Sequence, residues 1–180
     1  MKPFVVGIAG GTGSGKSTLT DNLRGTWPDQ VTALHLDDYF KDPEEVPKLG
    51  TFLNYDHPDS LDLPALGTDL ESLRSGRSIE LKTRDRQAKG VYGKQPGKVL
   101  MTFEPRPLIL VEGFLVLHDS NVRECLDHKI YLDAPFETHL ARRIHFMVDG
   151  YTDAVLRPMH QEFVAPSKQH ADQVIDVTGL

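Results

Sequence analysis

The chain has 180 residues, a hydrophobic fraction of 39% and a formal net charge of -6 at pH 7. This length suits one domain with a single core and is too short for two ordinary domains. The negative charge and the lack of a long Lys/Arg block argue against nucleic acid or a membrane surface as the main partner. No apolar stretch reaches the roughly 18 residues that span a bilayer, and the N-terminus lacks a signal-peptide pattern, so we expect a cytoplasmic protein.

Short apolar runs alternate with amphipathic patterns along the chain. Apolar runs typical of buried strands cover residues 4–9, 31–36, 108–111, 129–132 and 174–177. Patterns typical of helices cover residues 17–24, 63–74, 122–126, 136–146 and 153–164. Uniformly apolar strands separated by helices predict a parallel sheet with helices on both faces, a three-layer α/β/α fold. The single cysteine, Cys125, excludes an intrachain disulfide and is expected to be a buried structural thiol.

Two polar regions interrupt this alternation. Residues 41–60 are rich in Pro, Asp and Lys, and residues 82–97 combine basic side chains at 82, 84, 86, 89 and 94 with glycines at 90, 93 and 97. Both patterns predict loops. We expect both on the ligand-binding side, the second as a substrate-side loop region around residues 82–98.

A glycine-rich turn directly follows the first apolar run. Residues 10–17, GGTGSGKS, fit G-x-x-x-x-G-K-[ST] between a predicted strand and a predicted helix. Glycine lets successive N–H groups converge on an anion, and the helix N-terminus adds positive charge. The pattern predicts that Lys16 reaches the β- and γ-phosphates of a nucleoside triphosphate and that Ser17 binds Mg²⁺. The predicted ATP-binding residues are Gly10, Gly11, Thr12, Gly13, Ser14, Gly15, Lys16, Ser17 and Thr18.

Other motifs narrow the class of nucleotide-binding protein. The N-K-x-D motif of guanine-specific switches is absent, and the one plausible D-x-x-G, residues 176–179, comes too late for a switch loop. The turn also lacks the dinucleotide-binding pattern G-x-G-x-x-G. A motor or clamp ATPase usually needs partner subunits or further domains, so a small-molecule kinase fits this chain better.

Carboxylates end two of the predicted strands. Asp37 and Asp38 follow the second apolar run, and the carboxyl ends of parallel strands meet at one sheet edge. Asp37 is therefore expected beside the phosphate turn, as the base that takes the proton of an acceptor hydroxyl. Glu112 ends the third run and is predicted to hold Mg²⁺ through water. Asp133 competes with Glu112 for the metal, although Pro135 favours a helix-capping role for Asp133.

Six segments of the chain read, in order, GIAGGTGSGKST, LDDYFKD, NYDHPDSLDL, LILVEGFLVL, LARRI and RPMHQEFVAPSKQHADQVI. This ordered set resembles the uridine kinase family of P-loop nucleoside kinases, in the phosphoribulokinase/uridine kinase group and related to the nicotinamide riboside kinases. Residues 54–58 and 157–172 are most specific, since neither segment follows from the phosphate turn alone. The resemblance implies one kinase domain over residues 1–180, a role in nucleoside salvage, and ATP and Mg²⁺ as cofactors.

The resemblance also implies roles for individual residues. Asp37 would be the base for the 5'-hydroxyl, Asp56 would bind the ribose hydroxyls, and Arg143 would contact the substrate or the transferring phosphate. An ionised Asp can accept two hydroxyl hydrogen bonds, and an Arg fork matches phosphate oxygens. Tyr39 and His57 are further candidates for substrate binding, with a role in a turn as the alternative for His57.

Two departures from the family pattern concern the lid and the base pocket. The family continues its arginine pair as R-R-x-x-R-D, whereas Phe146 and Met147 stand here and the lid, around residues 146–156, is shorter. Arg142 or the basic residues of the 82–98 region are candidates to supply the missing positive charge. The family's P-V-Y strand is replaced by residues 82–85 and a glycine-rich stretch, with Tyr92 as a stacking candidate. A cationic pocket there would favour an acceptor with a carboxylate or phosphate; solvated loop lysines are the alternative.

These patterns together predict a Mg²⁺-dependent ATP phosphotransferase acting on the primary hydroxyl of a nucleoside, first of all uridine or cytidine. Alternative acceptors are nicotinamide riboside, another ribosyl or pentose compound, or a pantothenate-like molecule. Alternatives from other classes are a non-catalytic nucleotide-binding regulatory module and an ATPase without an acceptor. The expected partner is a small molecule, without nucleic acid or membrane, and assembly into a homo-oligomer is left open.

Overall fold

The computed structural model describes residues 2–84, 98–142 and 149–179. Its strands are β1 (Phe4–Gly10), β2 (Val31–His35), β3 (Lys48–Leu49), β4 (Phe52–Leu53), β5 (Ile79–Arg84), β6 (Lys98–Phe103), β7 (Leu108–Glu112), β8 (His128–Asp133) and β9 (Gln173–Asp176). Its helices are α1 (Lys16–Thr26), α2 (Leu63–Arg74), α3 (Ser120–Glu124) and α4 (Phe136–Arg142), with 3₁₀ turns at Leu36–Tyr39 and Pro58–Ser60. A C-terminal helical run covers residues 152–170.

The central sheet has five parallel strands in the order β2-β7-β1-β8-β9. Alternation along β1 sends Val5 and Ala9 into one core and Val6 and Ile8 into the other. The first core packs against α2 and α3, and the second packs against α1. Helices therefore cover both faces, which confirms the predicted three-layer fold. No helix among the described residues is both long and apolar enough to cross a membrane.

The region predicted as a loop from residue 82 begins instead as a strand. β5 pairs antiparallel with β6, from Ile79 opposite Phe103 to Arg84 opposite Lys98. Ile79 and Thr83 are buried while Lys82 is exposed. Charged side chains on the outer face hid this period of two from the sequence pattern. Residues 85–97, with Tyr92, lie outside the described residues.

The polar region over residues 41–60 also contains regular structure. β3 and β4 form a short antiparallel hairpin, with Lys48 opposite Leu53, around Gly50 at a φ angle of +61°. The 3₁₀ turn Pro58–Ser60 follows, and an isolated bridge joins Phe40 to Leu61. These elements keep a polar segment beside the carboxyl end of the central sheet.

The predicted helices differ from the observed ones mainly at their ends. α3 ends at Glu124, so Cys125 caps the helix and is buried, as the sequence predicts. The predicted helix over 136–146 is described as far as Arg142. The predicted helix over 153–164 is part of a longer run that includes π-helical segments at Thr152–Leu156 and His160–Val164, short α segments at Arg157–Met159 and Ala165–Ser167, and a 3₁₀ turn at Lys168–His170.

Candidate active site

Glycines in a left-handed conformation shape the turn between β1 and α1. The φ angles of Gly10, Gly13 and Gly15 are +147°, +74° and +89°, which other residues rarely adopt. A Cβ on Gly13 would collide with the carbonyl oxygen of His139, and one on Gly10 would lie 2.5 Å from that of Leu132. The turn therefore needs glycine both for its curvature and for its fit against β8 and α4.

Lys16, the first residue of α1, folds back over this turn. Its Nζ donates hydrogen bonds to the Gly11 carbonyl oxygen at 2.7 Å and to Ser14 Oγ at 3.3 Å. Burial lowers the pKa of Lys16, and the negative charges of Glu112 and Asp37 oppose part of that decrease. A polyphosphate in the turn would favour the charged form of Lys16, so ligand and lysine would stabilise each other.

Glu112 meets Ser17 at the start of α1. Ser17 Oγ donates a hydrogen bond to Glu112 Oε1 at 2.8 Å, and His35 Nδ1 lies 2.7 Å from the same oxygen. Burial pushes the pKa of Glu112 up, but the hydrogen bond with His35, the charge of Lys16 and the bond from Ser17 together hold that pKa below its usual value. Glu112 is therefore an ionised carboxylate at neutral pH.

The hydroxyl of Ser17 and the carboxylate of Glu112 fit a magnesium ion. Both are hard oxygen donors, and protein Mg²⁺ sites commonly combine one or two such groups with substrate phosphates. Asp133, the competing candidate, accepts a hydrogen bond from Lys168 Nζ at 2.9 Å. It is not among the described residues that line the cavity beside the turn.

The two neighbouring aspartates after β2 have different surroundings. Asp37 lines the same cavity as Lys16. Asp38 is buried and accepts a hydrogen bond from Thr83 Oγ1 of β5 at 2.6 Å, so it ties the β5–β6 hairpin to the sheet edge. A Cβ on Gly113 would collide with Leu36, so a glycine after Glu112 allows the turn that carries Asp37 to pack closely against the end of β7.

A cavity of about 730 Å³ runs from the phosphate turn to residues 51–56 and the C-terminal helical run. Its polar end holds Lys16, Ser17, Asp37 and Glu112. The aromatic side chains in its lining are Phe40, Phe52, Tyr55, Phe114 and Tyr151. The volume and the combination of aromatic rings with several polar groups are typical of a small-molecule site.

Asp56 also lines this cavity. Tyr151 donates a hydrogen bond from its hydroxyl to Asp56 Oδ2 at 2.7 Å. The Tyr151 ring packs edge-on against Phe52, with ring centroids 5.7 Å apart. The sequence interpretation missed Tyr151 and Phe52, and the only local signal for Tyr151 is its place after Gly150, which has a φ angle of +78°.

Two predicted substrate-binding residues lie elsewhere among the described residues. Tyr39 is buried, and its hydroxyl donates to Asp69 Oδ2 of α2 at 2.8 Å. Burial and the neighbouring carboxylate raise the pKa of Tyr39. His57 Nδ1 accepts a hydrogen bond from the Asp59 backbone N–H at 3.1 Å, as the alternative role in a turn predicts. Neither side chain lines the described part of the cavity.

Of the two predicted arginines, the structure describes Arg142 and not Arg143. Arg142 ends α4 and donates hydrogen bonds to the backbone carbonyl oxygens of Val177 and Thr178, both at 2.8 Å. Arg143, with Phe146 and Met147, lies outside the described residues, so the structure gives its predicted role no test. The described part of the lid begins at Asp149.

Two histidines that the sequence interpretation did not select lie over the phosphate turn. A Cβ on Gly11 would lie 2.8 Å from His139 Cδ2 and 3.1 Å from His160 Cε1. His160 lines the cavity, and its burial, with the nearby charges of His139 and Lys16, lowers its pKa to about 4. His139 is buried and its pKa is lowered by burial and by Lys16. Neutral imidazoles therefore cover this side of the turn.

Comparison with known sequences places these residues in a family. The family model described as "Phosphoribulokinase / Uridine kinase family" matches residues 5–179. A uridine kinase of Brevibacillus brevis is 34% identical over 190 residues, which cover 98% of this chain and 86% of that protein. A uridine kinase of Clostridium botulinum (strain Okra / Type B1) is 36% identical over 191 residues, covering 99% and 90% of the two chains.

Solved structures share the fold at lower sequence identity. A possible uridine kinase from Bacillus stearothermophilus has a TM-score of 0.70 at 19% identity and covers 98% of this chain and 90% of its own. Phosphoribulokinase from Rhodobacter spheroides has a TM-score of 0.64 at 15% identity, with 98% and 72% covered. With its phosphate turn and cavity, the chain belongs to the phosphoribulokinase/uridine kinase family and is a phosphotransferase that acts on a hydroxyl acceptor.

Proposed function

We propose that this protein transfers the γ-phosphate of ATP to the 5'-hydroxyl of a nucleoside, with uridine or cytidine as the first acceptors to test. The single observation that carries the proposal is the shared cavity, whose lining combines Lys16 and Asp37 with Asp56 and aromatic rings. Relatives that are 34–36% identical over nearly the whole chain carry the name uridine kinase.

The phosphate end supplies positioning and charge. The amides of the turn and Lys16 would hold the β- and γ-phosphates, while Ser17 and Glu112 would hold Mg²⁺. When bound, the ion neutralises charge that develops on the phosphate oxygens. A neutral His160 beside the turn can donate one hydrogen bond to a phosphate oxygen without adding a full charge.

Asp37 acts on the acceptor. Its carboxylate accepts the proton of the 5'-hydroxyl as the bond from that oxygen to phosphorus forms and the bond from phosphorus to the ADP oxygen breaks. The products are then ADP and the nucleoside 5'-monophosphate, with the proton on Asp37. This assignment uses the aspartate that lines the cavity rather than Asp38, whose carboxylate binds Thr83.

The acceptor end supports a neutral, aromatic acceptor over an anionic one. Asp56 can accept bonds from two ribose hydroxyls, and the aromatic wall suits a flat base. A carboxylate or phosphate on the acceptor would face Asp56, whereas Lys82 is exposed on β5 and lies outside the described lining. This favours a nucleoside over the pentose phosphate and pantothenate-like alternatives.

The test is ADP release with ATP, Mg²⁺ and a panel of acceptors: uridine, cytidine, nicotinamide riboside, ribulose 5-phosphate and pantothenate. We expect release that depends on uridine or cytidine. Asp37→Asn should lower kcat by about 10²–10⁴-fold, the usual contribution of a general base, and leave ATP binding by calorimetry within about 2-fold.

Asp38→Asn and Asp42→Asn are the matched controls. Asp42 is exposed, so its variant should behave like the parent, while Asp38→Asn should affect stability more than ATP or acceptor use. Full activity of Asp37→Asn would refute the base, ADP release without stimulation by any acceptor would indicate an ATPase, and ATP binding without ADP release would indicate a regulatory module.

A further inference from the structure

His35 is a buried histidine that none of the sequence motifs selected. It is the last residue of β2, and its Cα pairs with that of Glu112, the last residue of β7. Its side chain is 3% exposed, and that of Glu112 is 5% exposed. A histidine therefore lies directly beside the proposed metal-holding carboxylate, at a point where two neighbouring strands end together.

The contacts of His35 link three elements of the fold. Its Nδ1 lies 2.7 Å from Glu112 Oε1, and its Nε2 lies 3.6 Å from Asp21 Oδ1 of α1. Ser17, one helical turn before Asp21, donates to the same Glu112 oxygen at 2.8 Å. The hydrogen-bonded connection runs from Ser17 of α1 through Glu112 of β7 to His35 of β2, whereas Asp21, with a side chain 37% exposed and 3.6 Å from Nε2, lies beyond hydrogen-bond distance.

The chemistry of this connection fixes which group donates. A carboxylate can only accept hydrogen bonds, so at the 2.7 Å separation His35 Nδ1 is assigned as the donor to Glu112 Oε1. The donors from Ser17 and His35 both end on Oε1. Two donors from different elements on one oxygen hold the plane of the carboxylate without using Oε2.

We propose that His35 is a positioning residue that orients Glu112 for the metal ion of phosphoryl transfer. The inference rests on the proposed function, because it needs a metal bound by Ser17 and Glu112. Hydrogen bonds from outside the ligand shell commonly orient metal ligands, and their loss costs about 10–100-fold in metal affinity or activity. Without His35, Ser17 alone would bind Glu112 Oε1, and the carboxylate could rotate about its last bond.

The experiment compares His35→Leu, His35→Asn and the parent protein. Leucine removes the donor, whereas the Asn side-chain amide can place an N–H near the position of Nδ1. Calorimetry measures ATP binding in EDTA and then with increasing Mn²⁺ or Mg²⁺. We expect His35→Leu to need about 10-fold more metal ion for half of the metal-dependent gain in ATP affinity. Binding in EDTA should be unchanged, and His35→Asn should recover most of the loss.

Further measurements separate a positioning role from a purely structural one. Thermal unfolding is followed for both variants and for His118→Leu, which removes a histidine that packs edge-on against Phe163 outside the cavity. A structural role would lower the stability of both His35 variants and leave the metal requirement unchanged. That result, or equal metal requirements in His35→Leu and the parent, would overturn the inference.

The outcome for the parent protein distinguishes this inference from the proposed function. If the parent binds ATP more tightly with metal and His35→Leu does so equally, only the role of His35 fails. If the parent shows no ATP binding or no metal dependence, the proposed function fails and the inference fails with it. Should His35→Leu not fold, His35→Gln, which keeps an N–H at a different distance from Glu112, replaces it in the same comparison.

Discussion

The two ends of the cavity are built in different ways. At the phosphate end, a single local segment supplies the backbone turn, Lys16 and Ser17, and one buried carboxylate, Glu112, completes it. At the acceptor end, Asp56 and Phe52 come from a segment with two-residue strands, and Tyr151 directly precedes the C-terminal helical run. The backbone turn of the first end is local, but the Ser17–Glu112 hydrogen bond joins residues 95 apart in the chain, the same separation as between Tyr151 and Asp56.

From this difference we expect the phosphate end to give affinity for the triphosphate and the acceptor end to give selectivity between acceptors. A turn built from backbone amides binds any triphosphate, since the amides contact phosphate oxygens alone. Side chains gathered from separate segments can be exchanged without disturbing the sheet, because none of Asp56, Phe52 and Tyr151 belongs to it. Substitutions at the two ends should therefore change different kinetic constants.

The largest effect is expected at the phosphate end. Lys16→Met removes the buried ammonium group beside the turn, and we expect kcat/KM to fall by about 10²–10³-fold or more, because this charge acts on the transferring phosphate. Steady-state kinetics with varied ATP and acceptor measures it. Lys168→Met, which removes an exposed lysine bound to Asp133, is the matched control and should stay near the parent value. Comparable activity in Lys16→Met and the parent would mean that the phosphate end of the cavity does not act through the charge of Lys16.

An intermediate effect is expected from Asp56→Asn. Hydrogen bonds to a charged group contribute about 1.5–3 kcal/mol, so loss of one should raise the KM for the nucleoside about 10–100-fold. The KM for ATP should not change, because Asp56 is not part of the phosphate turn and its carboxylate binds Tyr151. Asp59→Asn, at an exposed side chain in the next turn, is the control. An equal rise in both KM values would mean that the two ends do not act separately.

The smallest effect is expected from Tyr151→Phe. This change keeps the ring against Phe52 and removes the hydrogen bond to Asp56. Loss of a bond that orients Asp56 should raise the KM for the nucleoside about 2–10-fold, as expected for a net 0.5–1.5 kcal/mol. Kinetics with deoxyribosyl and ribosyl acceptors would sharpen the result, since only the ribosyl compounds carry both hydroxyls. A lower KM in Tyr151→Phe would instead mean that Tyr151 competes with the acceptor for Asp56.

Much of the fold was predictable because the central strands are uniformly apolar. Residues 5–9, for example, are buried on both faces, so their sequence carries no competing pattern. The β5–β6 hairpin was missed because its outer face carries charges such as Lys82, while the buried positions Ile79 and Thr83 alternate with them. A polar segment reads as a loop when half of its side chains face solvent.

The candidate site, like the fold, was only partly predictable from the sequence. Ser17 and Glu112 were each predicted to hold Mg²⁺, and their side chains meet at 2.8 Å. Tyr39 and His57 were candidates through the family resemblance, but the Tyr39 hydroxyl binds Asp69 and His57 Nδ1 binds the Asp59 backbone N–H. Adjacency along a chain does not fix direction, since neighbouring side chains in a strand or tight turn point to different sides.

The sequence by itself determined the parallel sheet and the phosphate turn, since apolar periodicity and the conformational freedom of glycine act over a few residues. Only the tertiary structure decided which aspartate lines the cavity, that Tyr151 reaches Asp56, and that His35 lies against Glu112. Each of these three outcomes depends on how strands and turns are arranged in space. Because a hydrogen bond requires placement within a few tenths of an ångström, that arrangement and not the spacing along the chain selects the partner.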